Sequence, residues 1–212
     1  ITYTVQETEV PEGYTSEVTG DDKTGYTVTN IHAPETTQIE GTKTWSDGGN
    51  QDGTRPSSIT VNLLANGEKK ASQEVTADNG WKYTFTNLPK YAAGSKIVYT
   101  VSEEKVDGYT ATVSGYDITN TYKPGETSIT VTKSWKDGNN QDGIRPDSVK
   151  VQLCADGKKC GDEVTLTSAA NWTYTWSSLP EKASGKKITY TVQETEVPEG
   201  YTSEVTGDDK TG

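Results

Sequence analysis

The chain has 212 residues and a net charge of −11, a balance that argues against nucleic acid or anionic membrane as a partner. Its length leaves room for about two domains of ordinary size, and no apolar run approaches the roughly 18 residues that a membrane span requires. With no Met and one Phe but 12 Tyr and 5 Trp, it suits small β domains whose cores lean on aromatic and β-branched residues.

In chain order, Ile1-Thr2-Tyr3-Thr4-Val5 reads as the middle of a strand, so the chain is expected to be a segment of something longer. Tyr26-Thr27-Val28-Thr29-Asn30 reads as a later strand, followed by Ala33-Pro34-Glu35 as a short linker. Lys43 then stands between Gly41 and Trp45. A strand points alternate side chains to one face, so this lysine has inward parity. In Ile97-Val98-Tyr99-Thr100-Val101-Ser102-Glu103, the glutamate shares a face with Ile97, Tyr99 and Val101. In Tyr116-Asp117-Ile118-Thr119-Asn120, the asparagine follows Tyr116 and Ile118. The pattern then starts again: Lys133 has the parity of Ile129, Val131 and Trp135. A buried lysine, glutamate and asparagine in one small β domain suggest a self-made amide cross-link.

Further along, Cys154 and Cys160 flank Ala155-Asp156-Gly157-Lys158-Lys159. If Asp156-Gly157-Lys158 makes a three-residue hairpin loop, the two cysteines face each other and a disulfide is geometrically reasonable. Two unpaired thiols are the alternative. A metal pair is disfavoured because no His or third Cys lies nearby, and no cofactor is expected. The Asp47-Gly48-Gly49-Asn50-Gln51-Asp52-Gly53 segment lacks the ligand spacing and terminal glutamate of a calcium loop. It reads instead as a turn-rich loop pinned by Arg55 and Pro56.

These segments repeat. Residues 1–25 are identical to 188–212, and Lys43-Thr44-Trp45 through Arg55-Pro56 matches Lys133-Ser134-Trp135 through Arg145-Pro146. Trp81–Phe85 matches Trp172–Trp176, Leu88-Pro89 matches Leu179-Pro180, and Tyr99–Glu103 matches Tyr190–Glu194. The chain is thus an array of one module of about 90 residues. Residues 1–32 are the C-terminal part of a preceding module, 36–123 a complete module, and 127–212 a module that stops before its last strand. Period-two runs separated by Gly, Asn, Asp and Pro turns, with no convincing helical stretch, predict antiparallel β-sandwiches.

The lysine before a tryptophan, the Asn-Gln-Asp-Gly-x-Arg-Pro loop, the Leu-Pro turn, Tyr-Thr-Val-x-Glu and the closing Thr-Asn resemble the B-type repeat domain of Gram-positive collagen adhesins (CnaB-like) over essentially the whole chain. The resemblance implies tandem inverse-immunoglobulin-like sandwiches that build stalks of surface adhesins and pilins. It also implies an intramolecular isopeptide bond from a lysine to an asparagine, promoted by an acid. Lys43, Glu103 and Asn120 would be that trio in the complete module. Lys133 and Glu194 match the lysine and acid of the last module, and Glu7 and Asn30 the acid and asparagine of the first remnant.

The residue types suit the chemistry. A lysine must be neutral to attack, and burial disfavours the ammonium form. Burial equally favours a protonated carboxyl, which polarises a carboxamide and relays protons as ammonia leaves. The reaction runs once per molecule, so the protein is not expected to be an enzyme. The predicted role is a cell-wall-anchored, extracellular stalk repeat, with neighbouring modules as partners. The alternative is a module that itself binds a host matrix protein or glycan. Head-to-tail strand complementation is a further expectation, with Asn30 of one chain completing the sandwich begun by Lys133 of another.

Overall fold

A computed structural model of the chain describes residues 1–207. Near the N-terminus β1 (Thr15–Asp21) and β2 (Gly25–Ile31) form an antiparallel hairpin, with Thr15 opposite Ile31 and Asp21 opposite Gly25. The next repeat holds β3 (Thr36–Ser46), β4 (Ser58–Ala65), β5 (Glu68–Thr76), β6 (Lys82–Pro89), the short β7 (Tyr91–Ala92) and β8 (Ser95–Lys96), β9 (Tyr99–Glu103), β10 (Thr110–Ser114) and β11 (Asp117–Thr121). The last repeat holds β12 (Glu126–Thr132), β13 (Ser148–Ala155), β14 (Lys158–Lys159), β15 (Val164–Thr167), β16 (Thr173–Pro180), β17 (Lys182–Ala183), β18 (Lys186–Lys187) and β19 (Tyr190–Glu194). A 3₁₀ turn, Ser168–Ala170, interrupts the strands of the last repeat.

In the middle repeat the order β10-β11-β3-β6 makes one sheet and β5-β4-β9 the other. The alternation of β4 explains why it is central: Ile59, Val61, Leu63 and Ala65 are buried while the residues between them are not. Burying each of the larger side chains contributes about 1.5–3 kcal/mol. In the last repeat β12–β16 packs on β13, whose neighbours are β14, β15 and β19. Val149, Val151 and Leu166 from one layer meet Val131, Trp135, Trp172 and Trp176 from the other. Trp135, Trp172 and Trp176 are therefore half-buried members of the core.

One pairing departs from the expected antiparallel rule. Tyr122 N–H donates to Ser46 O at 2.9 Å, and a Cβ on Gly41 would lie 2.1 Å from Tyr116 O. Both strands advance together between those contacts, so β11 runs parallel to β3. The chain divides into two compact units, and the division crosses both strands. One unit comprises Ile1–Thr44, Ser58–Glu104 and Thr112–Ile118; the other comprises Trp45–Ser57, Lys105–Ala111 and the described residues from Thr119 onward.

Ile1–Val5 is not a strand, contrary to the sequence reading. The same letters at Ile188–Val192 do enter one: Leu153 and Cys154 of β13 stand opposite Val192 and Thr191 of β19. An extended segment without a neighbour has no ladder partner for its backbone groups, and Ile1–Val5 has none among the described residues.

Candidate functional site

Strand parity carries Lys43 inward, as predicted: Ile39, Gly41 and Lys43 are the buried positions of β3. The Lys43 side chain is 0% exposed and its Nζ lies 3.5 Å from Glu103 Oε1, whose side chain is 2% exposed. The ammonium also donates to Thr44 O at 3.2 Å. Neither Glu103 oxygen has a hydrogen-bond partner among the described residues. A desolvated ion pair with so few hydrogen bonds is seldom a net stabiliser against apolar replacements. Asn120, on β11, is 0% exposed, and neither its Oδ1 nor its Nδ2 has a hydrogen-bond partner among the described residues. Leaving a buried carboxamide unsatisfied costs about 1–3 kcal/mol, so such a group calls for a functional reason. β11 is the hydrogen-bonded neighbour of β3 in its sheet.

Above this site Tyr83, 2% exposed, lies against Gly41 and donates its hydroxyl to Tyr116 O. Burial, with the charges of Asp117 and Glu103, pushes the Tyr83 phenol up to about 12, so it remains a donor. Sequence parity did not single out Gly41 or Tyr83. Gly41 faces Val131 in the alignment of the two repeats, and that exchange was the available signal.

The last repeat keeps the lysine and acid together in a looser setting. Lys133 Nζ donates to Glu194 Oε2 at 3.0 Å and lies 4.7 Å from the Trp135 ring centre. Its side chain is 16% exposed, and β12 ends at Thr132, one residue before it. The predicted strand through Trp135 is thus cut short, because among the described residues β12 has only β16 beside it whereas β3 has both β11 and β6. Lys133 and Glu194 line an open cleft of about 1520 Å³ with Ile129, Val131, Trp135 and Tyr201. In the N-terminal hairpin, Asn30 Nδ2 donates to Glu7 Oε1 at 3.0 Å.

The disulfide expectation is corrected. The hairpin loop has two residues, not three: Asp156 and Gly157 both have positive φ, and Ala155 stands opposite Lys158. Cys154 therefore faces Lys159, and Cys160 donates its N–H to Leu153 O at 2.8 Å. Adjacent strand positions point to opposite faces, so the two thiols diverge and both are free.

The loop after each tryptophan is built alike. Arg55 Nε and Nη2 reach Asp47 Oδ2 and Oδ1 at 2.9 and 2.6 Å, and Arg145 holds Asp137 at 2.8 and 2.6 Å. Tyr109 donates its hydroxyl to Asp47 and Tyr201 donates its hydroxyl to Asp137, each at 3.0 Å. These tyrosines escaped the sequence reading, although Gly-Tyr-Thr recurs at Gly108, Gly200 and Gly13. The Arg55 guanidinium, with the Asn50 N–H and the Tyr109 hydroxyl, holds the Asp47 carboxyl below its ordinary 3.8. A carboxyl depressed in the folded state contributes stability that is complete above 3.8 and is lost as the pH falls through its folded value. Unfolding measured against pH should therefore show an acid limb below 3.8 that becomes shallower in Asp47→Asn. An unchanged limb would remove this ion pair from the acid response.

Comparison with known proteins agrees with this architecture. The Cna protein B-type domain model matches residues 1–31, 39–121 and 129–212. A collagen adhesin of Staphylococcus aureus is 51% identical over 209 residues, covering 99% of this chain; the chain spans 18% of that relative's length. The crystal structure of two B repeat units of the S. aureus collagen binding protein is 50% identical, with a TM-score of 0.56 over 97% of this chain and 55% of that one. A single B repeat unit of the same protein is 52% identical and covers 84% of this chain and 95% of that one, with a TM-score of 0.42. The repeats, the family-model match over nearly the whole chain and the 51% identity to the collagen adhesin show that the chain belongs to the Cna protein B-type domain family.

Proposed function

We propose that this chain is a stalk segment of a wall-anchored bacterial surface adhesin, acting outside the cell, in which Lys43 and Asn120 join through an isopeptide bond. The deprotonated Lys43 Nζ attacks Asn120 Cγ, a C–N bond forms, and the Asn120 nitrogen leaves as ammonia. Glu103 takes the lysine proton and delivers one to the departing nitrogen. The observation that carries this reading is the fully buried Lys43–Glu103 pair together with a fully buried, unpartnered Asn120 on the neighbouring strand. Holding such groups together is worth up to about 7–11 kcal/mol of barrier. The protein acts on itself once and turns over no outside substrate.

Tension entering near Thr36 passes through the bond and leaves near Lys123, sparing the strands between. Neighbouring modules of the array are the immediate partners. The matched relative is a collagen adhesin, and a spacing role suits a repeated module.

The Lys133–Glu194 cleft and the Asn30–Glu7 contact favour one extension. Tyr26–Asn30 of a second copy enters the cleft, and its Asn30 meets Lys133.

Intact mass under denaturing, reducing conditions tests both readings. The wild-type chain should be lighter than its sequence by one ammonia, and Lys43→Ala should not. Covalent species at multiples of the chain mass, absent in Lys133→Ala, mark the link between copies. A wild-type chain at full sequence mass sinks the cross-link.

A further inference from the structure

We propose that the Gln51-Asp52-Gly53 loop is a docking seat for the β17–β18 hairpin of the following repeat, and that each such seat takes the glycine hairpin of the next copy in line. The seat does not depend on the cross-link.

The compact unit containing the last repeat also takes in Trp45–Ser57, Lys105–Ala111 and the end of β11. The loop end of the middle repeat thus clusters with its successor, and side-chain geometry shows how. Asp52, 8% exposed, accepts from the Tyr122 hydroxyl at 2.8 Å and from the Gly125 N–H at 3.0 Å. Gln51 Nε2 donates to Gly125 O at 3.2 Å, and that same carbonyl accepts the Glu181 N–H at 3.0 Å. The linker is therefore held on both sides, by the loop behind it and by the base of the hairpin ahead. The linker proline lies close against the loop, since a Cβ on Gly48 would meet Pro124 Cγ at 3.2 Å.

The hairpin tip completes the joint. Ser184 and Gly185 have φ of 50° and 79°, the backbone of a two-residue turn. The Gly185 N–H donates to Gln51 O at 3.0 Å. Backbones approach so closely that a Cβ on Gly53 would lie 2.7 Å from Gly185 Cα. Lys182, at the start of the hairpin, adds its positive charge to the groups that hold the Asp52 carboxyl below its ordinary value, after the Gly125 N–H and the Tyr122 hydroxyl. Hydrogen bonds, glycine-to-glycine packing and charge all point to one occupant.

Both halves of the joint recur. Ala93 and Gly94 have φ of 47° and 76° at the tip of β7–β8, a hairpin of the same shape. Gln141-Asp142-Gly143 repeats the seat, with Gly143 at the φ of 68° that Gly53 also has. Asp142 is exposed where Asp52 is buried, and nothing lies within 4 Å of a Cβ built on Gly143. The partner that fits Gln141–Gly143 is therefore a hairpin of the Ala-Gly or Ser-Gly type from a further copy of this repeat.

Those two glycines supply a matched test. Asn tolerates the left-handed backbone, so Gly53→Asn and Gly143→Asn impose the same local cost, but only the first pushes a side chain into the Gly185 backbone. ¹⁵N relaxation should give residues 36–123 and 127–207 of the wild-type chain one rotational correlation time. In Gly53→Asn the two values should separate and fall toward that of a single module, while Gly143→Asn should match wild type. Independent tumbling in wild type, an unaltered Gly53→Asn, or an equal effect of both substitutions would overturn the proposal. Amide signals of both repeats retained in Gly53→Asn would show that each sandwich remains folded when the joint opens.

Discussion

Glu103→Gln is expected to leave the chain at its full sequence mass and to lower its melting temperature sharply. Gln keeps the shape of Glu103 but cannot accept the lysine proton, so Lys43 stays an ammonium and Asn120 keeps its nitrogen. The lost bond would have closed a loop of about 77 residues, for which the entropy of a comparable disulfide loop is about 4–5 kcal/mol. In a module of this size that corresponds to a fall in Tm of roughly 20–30 °C. Mass spectrometry and calorimetry on the same sample separate the two effects. A Glu103→Gln chain that still loses ammonia would show that the carboxyl is dispensable. One at full mass but with wild-type Tm would show that the bond carries no thermal stability.

Gly41→Val should be the second large loss, although valine stands at the equivalent position 131. Any Cβ at Gly41 would lie 2.1 Å from Tyr116 O and 2.5 Å from the Tyr83 ring, and the nearer obstacle is backbone that cannot rotate away. In the last repeat Val131 is accommodated because, among the described residues, no strand flanks β12 opposite β16, and Tyr174, the counterpart of Tyr83, is 41% exposed. Overpacking of this kind costs about 1–3 kcal/mol, and here it acts on the contact that brings β11 against β3. Cross-linking should therefore slow or fail in Gly41→Val. The time course of ammonia loss after refolding, followed by mass, measures this directly. A variant that cross-links at the wild-type rate would mean that Tyr116 and Tyr83 yield freely.

Much of the fold was written locally. Period-two parity placed Lys43, Glu103 and Asn120 on the same faces as apolar neighbours, and the structure buries all three side chains. The Asp–Arg loops were legible too, since Asp47 and Arg55 are near in sequence and ion-pair in the turn between them. The hairpin at Cys154 was misjudged by one residue, because loop length fixes register and a slip of one turns side chains to the other face.

What sequence alone could not decide is clearest where the letters are identical. Tyr190–Glu194 is a strand while Tyr3–Glu7 is not; Thr15–Gly20 lies in a strand while Thr202–Gly207 does not. Each segment becomes a strand only where a partner edge satisfies its backbone, β13 in one case and β2 in the other. The same cause ends β12 before Lys133 while β3 continues past Lys43 to Ser46. Side-chain parity is a property of the chain, so the sequence determined which residues the site would use. Pairing is a property of neighbours, so the tertiary structure decided which lysine is sealed beside its acid and which lies in an open cleft.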